Sequence, residues 1–308
     1  MKLLILGAGA SWGSSNVGKL PLLTKHLLSV LRPNFPKSWG LISDQYAKAH
    51  DMDFERIMDA MLDRQDPAEA RFMNRELAYY FEHFVPDDQS LYMRLLNEVD
   101  LSNVVICTLN YDLLLQRAGE RCGKRFYVTG FEFDGDGQPL PRDASSIELL
   151  MPHGSAGLVD MGYAMEDCMV SGGSLTDIGQ ATYQTRLCLH QKELLRYYKA
   201  NELNPIMSFI RRGKNTLIGD SLLKTARDRF ADVCIKANGI AVVGMQLNIR
   251  DKHITLPLIY SRAPVLIAVA RPALWDVFSW GALGSRLTDT GKTWLEAFDT
   301  IKEFLRRR

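Results

Sequence analysis

A glycine-rich segment near the start of the chain has the composition of a phosphate-binding turn. The apolar run at residues 3–6 is followed by Gly7, Ala8, Gly9, Ala10 and Ser11. Glycine lets the backbone turn tightly and approach a pyrophosphate, and free amides at the start of the next helix supply donors to it. The segment therefore predicts a nucleotide site, while a structural turn without a ligand stays open as the alternative.

This segment departs from the dinucleotide fingerprint of dehydrogenases. Trp12 occupies the position of the third glycine, and Gly13 comes one residue late. A strand-end carboxylate that could hold a ribose 2′-hydroxyl is also missing about 20 residues further on. Both departures weaken a dehydrogenase interpretation.

Polar side chains follow a second apolar run, at residues 104–108. Thr108, Asn110 and Asp112 come at its end, where doubly wound sheets place their ligand groups. Aspartate is also a common turn former and helix N-cap, so for Asp112 a capping role stays open beside a binding role. Asn110 is less easily explained by local structure and is the stronger candidate.

Two further sites have the same character. His153 follows an apolar run at residues 147–151 and precedes a glycine, where a cleft forms and where an imidazole can titrate near neutrality. A lone histidine is more often structural than catalytic. Gly244 follows the run at residues 240–243, with Asp251 beyond it at a helix start. Four such sites at successive strand ends are harder to dismiss than any one of them.

The elements that would position these residues alternate between strands and helices. Strands are predicted at residues 3–6, 104–108, 125–129, 147–151, 206–210, 240–243 and 265–269, and helices at 17–31, 112–121, 181–200, 221–237, 251–261 and 293–305. Residues 44–97 are helical in pattern throughout. We therefore expect an α/β fold, a Rossmann-like and mostly parallel sheet with helices on both faces, as a single domain over 1–308 with a helical insertion or cap at about 42–98.

Composition excludes several functional classes. The 308 residues include 37 Lys plus Arg and 36 Asp plus Glu, which gives a net charge of +1. This charge lacks the excess of basic residues that is typical of general nucleic-acid or anionic-membrane binding. The five cysteines show no pair at the two-residue spacing of zinc sites. The apolar start is too short for a signal peptide, and no apolar run could span a membrane. A cytoplasmic protein is expected.

Taken together, the four segments resemble the SIR2 (sirtuin-like) family, and within it the branch of bacterial anti-phage NAD hydrolases. Residues 7–11 are similar to the first phosphate loop of the family and residues 108–112 to its Thr-x-Asn-x-Asp motif. His153 resembles the catalytic histidine, and Gly244 with Asp251 the late glycine loop. The resemblance implies that NAD lies extended across the strand ends, with the nicotinamide ribose between Asn110 and His153.

Two departures from the family distinguish its subgroups. Sirtuin deacylases carry a four-cysteine zinc ribbon, for which this chain lacks the cysteine pairs, so neither zinc nor another metal site is expected. They also carry a Pro-Asp-Phe-Arg segment after the first glycine loop, where this chain reads Gly-Lys-Leu-Pro-Leu at residues 18–22. The acyl-lysine machinery is therefore not expected, and the helical segment resembles the elaboration of the defence branch in its position.

The expected reaction is cleavage of NAD to nicotinamide and ADP-ribose. Nicotinamide leaves readily, so the enzyme must mainly position and stabilise: Asn110 would orient the ribose or a water, His153 would act as the base, and Asp112 would hold a nearby contact. The resemblance implies an abortive-infection effector, gated by homo-oligomer assembly or by a separate sensor or activator protein. A deacylase or ADP-ribosyltransferase, and a non-catalytic module sensing NAD or ADP-ribose, remain as alternatives.

Overall fold

The computed structural model describes residues 1–12, 14–15, 24–52, 54–63, 67–129, 145–163, 183–189, 192, 194, 204–208, 220–245, 247, 251–269 and 281–307. Its strands are β1 (Lys2–Leu6), β2 (Val104–Thr108), β3 (Phe126–Val128), β4 (Ile147–Leu150), β5 (Gly154–Tyr163), β6 (Tyr183–Leu187), β7 (Asn204–Met207), β8 (Ile240–Val243), β9 (Val265–Ala268) and β10 (Leu287–Asp289). Its α-helices are α1 (Ala8–Ser11), α2 (Thr24–Asn34), α3 (Asp44–Ala49), α4 (Phe54–Asp63), α5 (Pro67–Glu82), α6 (Leu91–Glu98), α7 (Leu114–Arg121), α8 (Asp220–Lys236), α9 (Lys252–Tyr260) and α10 (Trp294–Arg306).

Seven strands form one sheet, in the order β10-β9-β8-β1-β2-β4-β3, and each neighbouring pair is parallel. From β1 the chain adds strands first on the β2 side, and then returns to add β8, β9 and β10 on the other side. The strand order therefore reverses at β1, as in doubly wound sheets. This confirms the predicted fold class.

Helices cover both faces of this sheet because its central strands are apolar on both sides. In β1, Leu4 and Leu6 pack into a core shared with residues of α2 to α7 and α10. Leu3 and Ile5 point to the opposite face and pack with residues of α8 and α9. All five residues of β1 are buried, which is typical of a strand that is covered on both faces.

The segment predicted to be helical throughout contains α3, α4, α5 and α6. Of these helices, α6 packs against α7 and α10, and α5 packs against β5 and β7. The helical segment is therefore in contact with the main sheet's own helices. The division of the chain into one domain with an insertion stays a prediction.

The structure contains a second, smaller sheet that the sequence analysis did not predict. It is antiparallel, with the order β6-β5-β7. The helix predicted at residues 181–200 is wrong over Tyr183–Leu187, which is a strand paired with β5. The strand predicted at 206–210 is β7, which begins at Asn204 and belongs to this sheet. The sequence analysis did not identify β5 or β10.

The remaining predicted elements agree with the structure to within a few residues. The first predicted helix, at 17–31, corresponds to α2, and residues 17–23 of the predicted range lie outside the described residues. None of the described helices combines the length and the apolar character that a membrane crossing requires.

Candidate functional site

The register of the parallel sheet brings the four candidate segments to one edge. Leu6 of β1 is paired with Thr108 of β2 on one side and with Val243 of β8 on the other. Beyond β2, Cys107 is paired with Leu150 of β4. The residues that follow β8, β1, β2 and β4 therefore form a row along the carboxyl edge, beside the strand at which the order reverses. Doubly wound sheets bind their ligands in a crevice at this edge, beside the point of reversal. We call this part of the molecule the crevice.

The two glycine segments in this row pack directly on each other. The amide of Gly9 donates to the carbonyl of Gly244 at 2.8 Å, and the amide of Gly7 donates to the carbonyl of Val243 at 2.9 Å. A Cβ atom on Gly9 would lie 2.8 Å from the Gly244 Cα. Close backbone packing therefore explains why glycine is needed at both places.

This packing also uses amides that the sequence analysis reserved for a phosphate. Besides Gly7 and Gly9, the amide of Ala10 is engaged, because it donates to the carbonyl of Gly7 at 2.8 Å. A phosphate role for the segment stays a prediction, and it would have to use another donor, such as the amide of Ala8.

Side chains from three elements form a buried polar network in the crevice, and its members are Ser11, Tyr92, Asn110 and Asp112. The Asn110 Nδ2 donates to Ser11 Oγ at 2.9 Å and to Tyr92 Oη at 3.2 Å. Ser11 Oγ lies 2.9 Å from Tyr92 Oη and also bonds the Asp112 carboxylate. The sequence analysis named three of these residues, and the structure brings them together.

The donors and acceptors of this network can be assigned. A carboxylate only accepts, so the single Ser11 proton goes to Asp112. Ser11 Oγ must then accept from the Tyr92 hydroxyl and from Asn110. Burial, together with the charge of Asp112, raises the pKa of Tyr92 well above its ordinary value of 10.0, so its hydroxyl keeps its proton and donates. The network consequently fixes the Asn110 amide with Nδ2 toward Ser11 and Tyr92.

This orientation turns the Asn110 carbonyl oxygen away from the network. Asn110 is 6% exposed, and its Oδ1 has no hydrogen-bond partner among the described residues. Its backbone amide donates to Thr108 Oγ1 at 3.2 Å, which holds the loop after β2. A buried acceptor without a partner is costly, and a ligand hydroxyl would satisfy it.

Asp112 contacts the start of the helix that follows it, while its binding role stays a prediction. Its Oδ1 accepts from the amide of Leu114 at 3.0 Å, at the start of α7. The same carboxyl accepts from Ser11, and burial raises its pKa. Asp112 therefore positions Ser11 as well as the helix start.

Tyr92 is a member of this site that the sequence analysis missed. It lies on α6 of the helical segment, is 1% exposed and packs edge-on against Trp294, with ring centroids 5.2 Å apart. A buried tyrosine on an amphipathic helix looks like a core residue in the sequence. Only the packing of α6 brings its hydroxyl to Asn110.

His153 is held at the junction of the two sheets. Its carbonyl accepts from the amide of Ser208 at 2.8 Å, just beyond β7. The next residue, Gly154, has φ +76° and no room for a Cβ beside the Ile206 carbonyl, so glycine is required there. The imidazole ring of His153 stacks on the ring of Tyr111, with centroids 6.5 Å apart. This contact connects His153 to the loop after β2.

The carboxylate of Asp251 lies between two histidines. Its Oδ2 is 2.9 Å from Nε2 of His153, and its Oδ1 is 2.8 Å from Nδ1 of His253. Asp251 is the N-cap residue of α9, but its side chain makes no capping hydrogen bond. The contact with NAD expected for Asp251 stays a prediction, while its carboxylate is placed to orient His153. His253 is a second residue that the sequence analysis missed.

The site therefore contains a buried acceptor on Asn110 and a buried imidazole with a carboxylate at the ends of the adjacent strands β2 and β4. The acceptor can orient a hydroxyl or a water, and the imidazole can take a proton from it. None of the four described cysteines forms a disulfide with another described residue, and Cys168 lies outside the described residues.

Comparisons with known proteins give a limited result. No family model matches the chain, and no curated protein matches it. A similar solved structure is a Sir2 protein in complex with the inhibitor EX-527, 2′-O-acetyl-ADP-ribose and a deacetylated p53 peptide. The similarity has a TM-score of 0.49 at 14% identity and covers 98% of this chain and 93% of that one. A function for this chain therefore rests on its own side chains.

Proposed function

We propose that the protein is an NAD glycohydrolase that cleaves NAD to nicotinamide and ADP-ribose. The observation that supports this most is the buried Oδ1 of Asn110, which the network around Ser11 and Tyr92 orients and leaves without a partner among the described residues. His153, 5% exposed beside Asp251, follows the neighbouring strand. A module that only bound NAD would need neither an oriented amide nor an imidazole with a carboxylate.

The reaction suits these groups. The bond between the ribose C1′ and the nicotinamide nitrogen breaks, and its electron pair leaves with nicotinamide. A water oxygen then bonds to C1′, and its proton passes to His153. Asn110 Oδ1 accepts from a ribose hydroxyl or from that water, while Asp251 holds the imidazole. Positioning and stabilisation of the developing charge carry most of the rate enhancement, because the leaving group is good.

The test is chromatography of NAD incubated with purified protein, alone and with an acylated peptide. Nicotinamide and ADP-ribose should form without peptide. Asn110→Ala and His153→Ala should each reduce turnover by about 100-fold or more, the usual range for loss of a positioned acid or base. Asn34→Ala and His50→Ala, at the ends of α2 and α3, are the matched controls and should retain the rate.

Other outcomes select the alternatives. Peptide-dependent formation of acylated ADP-ribose would identify a deacylase instead. Binding of NAD without turnover in an assembled complex would favour the sensing module. Undiminished hydrolysis in either alanine variant would remove that residue from the mechanism.

We further propose that the hydrolase acts as a cytoplasmic effector of anti-phage defence, which kills the infected cell by NAD depletion. The support is the resemblance of the four motifs to the defence branch, together with the harm that an unchecked NAD hydrolase would do to its host. Activity would be gated by self-association or by a separate sensor protein. Cellular NAD should fall after phage challenge in cells with the wild-type chain and stay constant with His153→Ala.

We also propose that the chain is one SIR2-like domain into which the helical segment is inserted. Tyr92 supports this, because a side chain of that segment completes the hydrogen bonds around Asn110. Limited proteolysis should yield no stable fragment that lacks residues 42–98, and a stable active fragment without them would contradict the proposal.

A further inference from the structure

His153, Asp251 and His253 form a cluster with more potential metal-ligating atoms than are needed to orient one imidazole. A single carboxylate oxygen suffices to hold His153. The second oxygen contacts a second histidine, so two ring nitrogens and one carboxylate converge from the loop after β4 and from the start of α9. We propose that this cluster binds a divalent transition-metal ion such as Zn²⁺.

The donor atoms lie close enough together for one ion. The nitrogen-to-oxygen distances are 2.9 Å and 2.8 Å, and the three ligand atoms all lie within 4.8 Å of one another. Zinc binds imidazole nitrogen and carboxylate oxygen at about 2.0–2.2 Å, so neighbouring ligand atoms in a tetrahedral site are about 3.3 Å apart. Side-chain rotations that move these atoms by about an ångström would bring all three into the first coordination sphere.

The backbone around the cluster is fixed, which favours a preformed site. The carbonyl of Asp251 accepts from the amides of Ile254 at 3.0 Å and Thr255 at 2.8 Å, and the His153 carbonyl accepts from Ser208. The side chains of His153, Asp251 and His253 are 7%, 6% and 16% exposed. Because the Asp251 carboxylate makes no capping hydrogen bond, it can turn toward an ion without loss of a helix cap.

The chemistry of the donors selects the class of ion. Two imidazoles and one carboxylate suit zinc, cobalt and similar transition metals, whereas Mg²⁺ and Ca²⁺ prefer sites built of oxygen alone. Three protein ligands leave a fourth position for water. The site therefore has the composition of an open, exchangeable site rather than of a closed structural one.

Metal binding would regulate the site, and this part rests on the proposed hydrolase function. An ion bound to His153 occupies the lone pair of Nε2 and pins the ring and Asp251 together. The proton of the neutral imidazole then lies on Nδ1, so His153 has no lone pair left to take the proton of the attacking water. Zn²⁺ should therefore inhibit NAD hydrolysis, without any contact with the Asn110 network.

Binding can be tested without any activity. The full chain, freed of metal with a chelator, is titrated with Zn²⁺ by calorimetry and with Co²⁺ by visible absorption. One ion per chain should bind, with a cobalt spectrum that lacks thiolate charge transfer. His253→Ala and Asp251→Asn should each weaken the affinity at least tenfold. Asp251→Asn keeps the shape of the side chain, and His26→Ala, at an exposed histidine on α2, is the matched control with unchanged affinity.

The outcomes distinguish failure of the metal-site proposal from failure of the hydrolase proposal. Absence of binding to the wild-type chain, or wild-type affinity in folded His253→Ala, would overturn the metal site. In the hydrolysis assay, Zn²⁺ should inhibit the wild-type protein at least tenfold more strongly than His253→Ala, each relative to its own metal-free rate. Equal inhibition of both would overturn the regulatory role. A chain that binds Co²⁺ through His253 but cleaves no NAD, either alone or in an assembled complex, would disprove the hydrolase and support the metal site.

Discussion

Replacement of Glu82 by glutamine should remove a pH-dependent loss of stability from this protein. Glu82 ends α5, and its side chain is 0% exposed. Its carboxylate oxygens lie 3.6 Å from Arg117 Nη2 and 3.6 Å from His83 Nδ1, too far for hydrogen bonds. Arg117 instead donates to the backbone carbonyls of Glu82, Phe84 and Leu189. The carboxylate is therefore desolvated, with only a distant cation to compensate.

The size of the effect follows from the shifted pKa. Burial raises the pKa of Glu82 from 4.5 to about 7, and the positive charge of Arg117 opposes this shift only in part. Between about pH 4.5 and pH 7 the folded protein holds a proton that the unfolded chain has released, so stability falls as the pH rises. At about 1.4 kcal/mol per unit, ionisation of Glu82 costs about 3 kcal/mol above pH 7. Glutamine resembles the neutral acid and avoids this cost.

Urea unfolding at several pH values between about pH 5 and pH 8 measures the difference in the free energy of unfolding between the wild-type protein and the variant. Glu82→Gln should match the wild-type protein at the acid end and exceed it by up to about 3 kcal/mol at the alkaline end. Glu303→Gln, at an exposed carboxylate on α10, controls for removal of a surface charge and should leave the wild-type pH dependence in place. Parallel curves for the wild-type protein and Glu82→Gln would refute the reasoning.

Three further substitutions test other contacts. Tyr92→Phe removes the hydroxyl that accepts from Asn110, and the free energy of unfolding should fall by about 1–3 kcal/mol in a thermal or urea melt. Under the proposed function NAD turnover should also fall. Unchanged stability would contradict the hydrogen-bond network. Gly244→Ala places a Cβ at φ +59° against the Ala10 amide and should destabilise the fold by more than about 2 kcal/mol, whereas wild-type melting would show that the loops can separate. Thr293→Ala removes the capping box of α10 and should cost about 1 kcal/mol in urea unfolding, while no change would mean that the helix start frays.

The central strands of the main sheet were predictable because they are apolar on both faces, whereas the edge strand β10 is partly exposed and was not identified. The observed β2 and β8 have the predicted bounds, Val104–Thr108 and Ile240–Val243, and all of their residues are buried. A short unbroken apolar run before a turn is typical of such a strand. The row of polar groups at the carboxyl edge could be predicted from the same pattern, because parallel strands bring their ends together.

The antiparallel sheet was not predictable by that rule. The strand Tyr183–Leu187 has three consecutive polar residues between Tyr183 and Leu187, so it lacks the alternation typical of a strand. It also lies within a longer stretch that fits a helix, and its pairing partner β5 is some 20 residues away in the chain. Pairing with β5 overrides the local pattern. The smaller sheet matters for the site, since β7 supplies the backbone against which Gly154 packs beside His153.

The sequence by itself determined the parallel sheet and the place of Asn110 and His153 at its edge, because apolar runs and the residues that end them are local patterns. The tertiary structure alone decided what surrounds these two residues. Tyr92 and His253 reach them from α6 and α9, which no spacing in the chain connects to the strand ends. Hydrogen-bond geometry in a crevice depends on how separate elements pack, and that packing fixes which way the Asn110 amide faces and which groups share Asp251.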